Sequence, residues 1–199
     1  ASETTPYPTD NVANAKQLLA EAGYPEGRGL PPIVLDVTAN TVRRQIGEFF
    51  QKCMAQIGIK VKVVPNIFPE LSKKVHQKQT VMHLMGWSSD YPDAENFLNG
   101  LYKSDQRVVG MGANFSDAEY NALYERATVM QPSPARTALY TQLNRIAAEK
   151  LPAIYIVHKK HPVLYHGWVK NYRWSDCHYG NEQYMDIDLE AKRTLKAKF

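Results

Sequence analysis

Apolar residues recur at intervals of three and four over Val42, Ile46, Phe49, Phe50, Cys53, Met54 and Ile57. That spacing predicts an amphipathic helix, opened by Asn40 or Thr41 and ended by Gly58. On either side the period changes to two. Ile33 to Ala39 and Ile59 to Val64 are rich in β-branched residues and read as strands. Pro69 suits the first turn of a short helix running to about Lys78 with Leu71 and Val75 inward, and Val81 to Trp87 reads as a third, buried strand. Residues 33–87 therefore predict β-α-β-α-β with short loops. Such a unit implies parallel strands joined by right-handed crossovers, with helices on the sheet faces.

The flanking pattern is mostly helical. Asp10 is placed to cap a helix over Asn11 to Ala22, with Val12, Ala15, Leu18, Leu19 and Ala22 on one side and Gly23 as a left-handed C-terminal cap. Beyond the β-α-β unit, a short helix is expected over Ala94 to Tyr102. Asp117 to Met130 follows, with Tyr120, Leu123, Tyr124, Ala127 and Met130 on one face. A further helix is expected from Pro134 to about Lys150, with Leu139, Leu143, Ile146 and Ala147 inward. Ala153 to His158 reads as a fourth strand, residues 160–182 as irregular, and Gln183 to Ile187 as a last strand.

Composition narrows the class. The 199 residues carry 44% hydrophobic and 22% charged residues, ordinary for a globular protein with a real core. Net charge is +4, but the basic residues are scattered and cluster only at Lys73-Lys74, Lys159-Lys160 and the tail from Lys192 to Lys198. No basic stripe suited to nucleic acid is legible, and the tail reads as a solvated helix or chain end. No run approaches the roughly eighteen apolar residues of a membrane span. The start at Ala1-Ser2-Glu3 without Met reads as a processed or excised product. The two cysteines, Cys53 and Cys177, are too few for a disulfide framework or zinc site. Cys53 reads as a buried thiol, with a Cys53–Cys177 bridge left open.

Candidate chemistry concentrates where the third strand ends, at Trp87-Ser88-Ser89-Asp90-Tyr91. In parallel α/β sheets ligands bind outside the carboxyl ends of the strands. There an exposed carboxylate can pair with an ammonium group and an aromatic ring can supply a flat wall or cation–π contact. The alternative is a surface Asp90 starting a turn before Pro92, with Trp87 in the core. Asp93 reads as a helix N-cap and Glu95 as a first-turn acid, so the spacing fits neither a catalytic carboxylate pair nor a Ca²⁺ loop. Gly86-Trp87-Ser88-Ser89-Asp90 lacks the second small residue of a nucleophile elbow. The histidines (His76, His83, His158, His161, His166 and His178) form no zinc-binding pair, and Gly27-Arg28-Gly29 is no phosphate loop. Neither catalysis nor a cofactor is expected.

Several segments together carry a family pattern. They are Ala15-Lys16-Gln17-Leu18-Leu19-Ala20-Glu21-Ala22-Gly23-Tyr24-Pro25, Arg44-Gln45-Ile46, Gln56-Ile57-Gly58-Ile59-Lys60-Val61 and Met85-Gly86-Trp87-Ser88-Ser89-Asp90-Tyr91-Pro92-Asp93. Asn114-Phe115-Ser116-Asp117 with Leu123 and Ala127, then Leu151-Pro152-Ala153-Ile154-Tyr155, follow in order. The chain thereby resembles the family 5 extracellular solute-binding proteins, the peptide/nickel/opine-binding subunits of ABC importers. The resemblance implies one lobe of a type II periplasmic-binding-protein-like fold, with residues 1–165 as an incomplete C-terminal ligand-binding lobe. Residues 166–199 would return to an N-terminal lobe. It implies a periplasmic or extracellular protein that captures oligopeptides and works with a membrane ABC permease, with no nucleic acid and no span of its own. The membrane association would come through the transporter or a lipid anchor. In peptide-binding relatives an Asp three residues after the strand-end aromatic pairs with the ligand's α-ammonium. Trp87 and Asp90 hold those positions, with Ser88, Ser89 and Tyr91 between and beside them. A ligand-sensing module of a regulatory protein, built on the same lobe, is the alternative.

Overall fold

The computed structural model describes residues 11–104, 113–157, 160, 162–173 and 181–197. They divide into two compact units, one within residues 1–87 and 98–152, the other within 88–97 and 153–199. The expected boundary at residue 165 falls inside the second unit.

The first unit opens with α1 (Val12–Glu21), whose N-cap is Asn11 rather than Asp10, a residue outside those described. The Asn11 side chain accepts the Asn14 N–H at 2.8 Å, and Gly23 takes the expected left-handed φ of 89°. No residue of α1 is buried. The parallel strands β1 (Ile33–Thr38), β2 (Val61–Asn66) and β3 (Met82–Leu84) form a sheet of order β2-β1-β3. The helices α2 (Thr41–Ala55) and α3 (Phe68–His76) connect them. β2 begins two residues later than the pattern predicts and tolerates Pro65 because it is an edge strand, where a missing N–H costs no ladder bond.

The strand order dictates where the helices go. The chain steps from β1 outward to β2, then returns past β1 to β3. With right-handed crossovers α2 and α3 must lie on opposite faces, and the reversal creates a switch point between β1 and β3. Side-chain alternation agrees with this. Leu35, Val37 and Val61 form the core beneath α2, with Phe50, Met54 and Val63 packed against them. A Cβ on Gly47 of α2 would lie 3.0 Å from Val63 Cγ1 and 3.3 Å from Val37 Cγ1, so glycine lets the helix sit close. Asp36 points to the other face, under α3, where Leu71 and Val75 are also buried. There Asp36 Oδ1 accepts hydrogen bonds from Asn66 Nδ2 at 2.8 Å and Lys74 Nζ at 3.3 Å, and Lys74 Nζ donates to Asn66 Oδ1 at 2.6 Å.

Two expectations about apolar faces fail in this region. Phe49 is 70% exposed and Val42 58% exposed. The apolar arc of α2 is wider than the sheet beneath it, so only the Ile46, Gly47, Phe50 and Met54 side is covered. β3 spans three residues instead of the expected seven, because it pairs only with β1 and the ladder ends at Val37↔Leu84.

The rest of the first unit is helical. α4 (Glu95–Leu98) straddles the division between the units and is shorter than the Ala94–Tyr102 helix expected, turns taking over up to Ser104. α5 (Ala118–Thr128) and α6 (Pro134–Lys150) are capped by the side chains of Asp117 and Ser133. Their core contains Tyr120, Tyr124, Ala127, Leu139, Leu143, Ile146 and Ala147, as the periodicity predicts, together with Leu98 and Leu101. The Tyr120 hydroxyl donates to the Leu98 carbonyl at 2.8 Å, and Tyr102 stacks on Tyr124 at 4.5 Å.

In the second unit, residues 153–157 form no strand among the described residues, which corrects the expected fourth strand. β4 (Val169–Lys170) pairs antiparallel with β5 (Asp186–Ile187), the remnant of the strand expected over Gln183–Ile187. α7 (Leu189–Lys196) follows, capped by Asp188, whose Oδ1 accepts the Ala191 N–H at 2.9 Å. Cys177, His158, His161 and His178 lie outside the described residues. Cys53 is half-buried on α2.

Candidate functional site

In the first unit, the carboxyl ends of β1 and β3 bring two sequence-distant residues together. β1 leads into Asn40, whose side chain caps α2 by accepting the Arg43 N–H at 2.8 Å. Arg43 thus sits in the first turn of α2, at the switch point. β3 leads into Met85, Gly86 and Trp87. A Cβ on Gly86 would lie 3.0 Å from Arg43 Nη2, so the guanidinium passes directly over this glycine. No ion pair involves Arg43 among the described residues. Trp87 is 43% exposed and is no core residue. That part of the alternative fails; its other part, an exposed Asp90 at a bend before Pro92, stands.

No sequence motif marks Arg43; the family pattern runs through its neighbours Arg44-Gln45-Ile46. A signal was present. A cation in the first turn of a helix faces the positive end of the helix dipole and is mildly unfavourable there. Its presence beyond a strand end points to an interaction that offsets that cost.

In the second unit, Ser88, Asp90 and Tyr91 are exposed and Ser89 is half-buried. Asn96, only 7% exposed, clasps residue 90. Its Oδ1 accepts the Asp90 N–H at 3.2 Å, and its Nδ2 donates to Asp90 Oδ2 at 3.4 Å. No hydrogen bond reaches Asp90 Oδ1 among the described residues. The Tyr91 hydroxyl donates to Glu95 Oε2. That bond, then burial, holds the phenol above its ordinary value of 10.0. Asp93 Oδ1 accepts the Glu95 N–H at 2.9 Å, just before α4. Among the described residues no group of three or more His, Cys, Asp or Glu side chains could hold a metal ion. His83 lies in β3 as expected, with Nδ1 3.2 Å from Thr80 Oγ1.

A parallel sheet with helices on both faces, and Arg43 meeting Gly86 beyond its strand ends, is the architecture of an α/β solute-binding lobe. The chain belongs to the bacterial extracellular solute-binding proteins, family 5: the profile of that family's middle region matches residues 1–108. Heme-binding protein A of Haemophilus influenzae is 28% identical over 194 residues, covering 96% of this chain and 35% of its own. Di/tripeptide-binding protein 1 of Pseudomonas aeruginosa is 34% identical over 148 residues, covering 73% of this chain and 28% of its own. Among solved structures, the ABC transporter-associated periplasmic binding protein DppA from Helicobacter pylori, in complex with the peptide STSA, superposes with a TM-score of 0.67. It is 27% identical and covers 76% of this chain and 29% of its own. The chain therefore spans about a third of the length of these relatives. Among the described residues no helix is long and apolar enough to cross a membrane.

Proposed function

We propose that this chain is the ligand-binding C-terminal lobe, residues 1–165, of the substrate-binding subunit of an ABC importer. Residues 166–199 return toward an N-terminal lobe, and the two lobes close on an oligopeptide by hinge motion. The observation that carries the reading is Asp90: an exposed carboxylate with one oxygen uncommitted, in the loop that follows a strand at the sheet's switch point. It serves as the anchor for the peptide's α-ammonium, with Trp87 as an aromatic wall and Ser88, Ser89 and Tyr91 lining the ligand. Arg43, in the first unit, is a candidate to pair with a carboxylate, which a guanidinium recognises through paired N–H donors. The subunit works outside the cytoplasmic membrane, delivers ligand to a membrane permease and catalyses nothing.

One relative is named for di- and tripeptides, one for heme, and the solved DppA holds the peptide STSA, so ligand class is the point to test. Calorimetry on the full-length protein with di- to tetra-alanine, their N-acetylated forms and hemin separates the cases. Binding of the free peptides, weakened at least tenfold by acetylation, is expected. Hemin binding without peptide binding, or indifference to acetylation, overturns the proposal.

A further inference from the structure

We propose that Asn96 is a positioning residue for ligand capture, acting through Asp90; the inference rests on the reading of Asp90 as ammonium anchor. Asn96 is a neutral amide at 7% exposure whose carbonyl and amino groups both reach residue 90. The Oδ1 atom takes the Asp90 main-chain N–H, and Nδ2 reaches the Asp90 carboxylate. A single side chain therefore fixes both the backbone and the side chain of residue 90.

The chemistry of the choice matters. A buried Lys or Arg could hold the carboxylate as firmly, but it would neutralise the charge that must attract an ammonium. An amide orients Asp90 and leaves its full negative charge available. By occupying Oδ2 and the main-chain N–H, it also leaves Oδ1 as the oxygen presented to ligand. Preorganisation of this kind raises affinity by lowering the cost of ordering the anchor on binding. No pattern in the sequence marks Asn96, because its role depends on the chain folding back between residues 90 and 96.

The test is a double-mutant cycle on the full-length protein, read by calorimetry with tri-alanine and N-acetyl-tri-alanine. Asn96→Leu keeps the volume and removes both bonds, and Asn96→Ala serves if the leucine variant does not fold. Loss of a hydrogen bond to a charged group should weaken tri-alanine binding about tenfold. Acetyl-tri-alanine binding should be little changed, so the preference for the free amine shrinks. In an Asp90→Ala background the same substitution should change tri-alanine affinity less than about twofold. An equal loss in both backgrounds makes Asn96 a residue of general stability and overturns the inference, as does an unchanged preference for the free amine. If the wild-type protein binds neither peptide or does not discriminate between them, the ammonium-anchor reading itself fails, and the inference with it.

Discussion

Lys74→Met tests the sheet that carries the candidate site. Asp36 is 4% exposed in the middle of β1, and its Oδ1 is held by Asn66 at 2.8 Å and by Lys74 at 3.3 Å. Methionine keeps most of the aliphatic stem of Lys74 and removes only the ammonium group. What remains is a buried carboxylate with one neutral donor, and Asn66 Oδ1 loses its 2.6 Å bond. Breaking a fully buried pair from one side costs about 3–5 kcal/mol. The Lys74 side chain is 31% exposed, so water screens part of the interaction. About 2–3 kcal/mol is the magnitude we expect. Urea denaturation followed by far-ultraviolet circular dichroism measures it, with an unchanged slope indicating that the unfolded state is not altered. Asp36→Asn/Lys74→Met removes both charges while leaving residue 36 able to accept from Asn66, and should lie within about 1 kcal/mol of the parent. A loss below about 0.5 kcal/mol for Lys74→Met, or a double variant no more stable than the single one, would refute the reasoning.

Other outcomes follow from the same geometry. Gly86→Ala puts a methyl group against the Arg43 guanidinium. It should weaken peptide binding by about 1 kcal/mol while shifting stability by less than about 0.5 kcal/mol, as read by calorimetry beside thermal melting. Gly47→Ala gains about 1 kcal/mol of helix propensity but presses on Val63 and Val37, an overpacking cost of about 1–3 kcal/mol. Denaturation should show a net loss of about 1 kcal/mol, and a more stable variant would contradict the close approach of α2 to the sheet. The Asp188 carboxyl is held below its ordinary value of 3.8, first by the Ala191 N–H and also by Lys170. Its contribution to α7 is therefore complete above that value and lost as pH falls through the lowered one. Hydrogen exchange of α7 amides should show no capping-related change from pH 7 to 5, and fraying that begins near pH 6 would count against the cap.

The elements built on local signals were legible in the chain. Asn40 before the 42/46/50/54 stripe, and Gly58 after it, bounded α2 because caps and periodicity are properties of a few adjacent residues. The inward residues of α6 followed for the same reason. What failed depended on partners. Residues 153–157 have the β-branched composition of a strand, yet composition supplies a preference and no ladder. Val42 and Phe49 share the apolar arc of α2, but the sheet covers only one side of it. The β-α-β-α-β unit was legible but its strand order was not: placing β3 outside β2 gives no switch point, returning it past β1 gives one, and both satisfy the pattern. Arg43 and Asn96 escaped notice because each acts across a chain reversal, one over Gly86 and the other on Asp90.

The central claim is that Asp90 anchors a ligand ammonium, and isosteric replacement tests it most directly. Asp90→Asn keeps the shape of the loop and removes the charge. Calorimetric titration of the full-length variant with tri-alanine should show a loss of about 2–5 kcal/mol relative to the parent, with the affinity for N-acetyl-tri-alanine unchanged. Equal tri-alanine affinity in parent and variant would contradict the account.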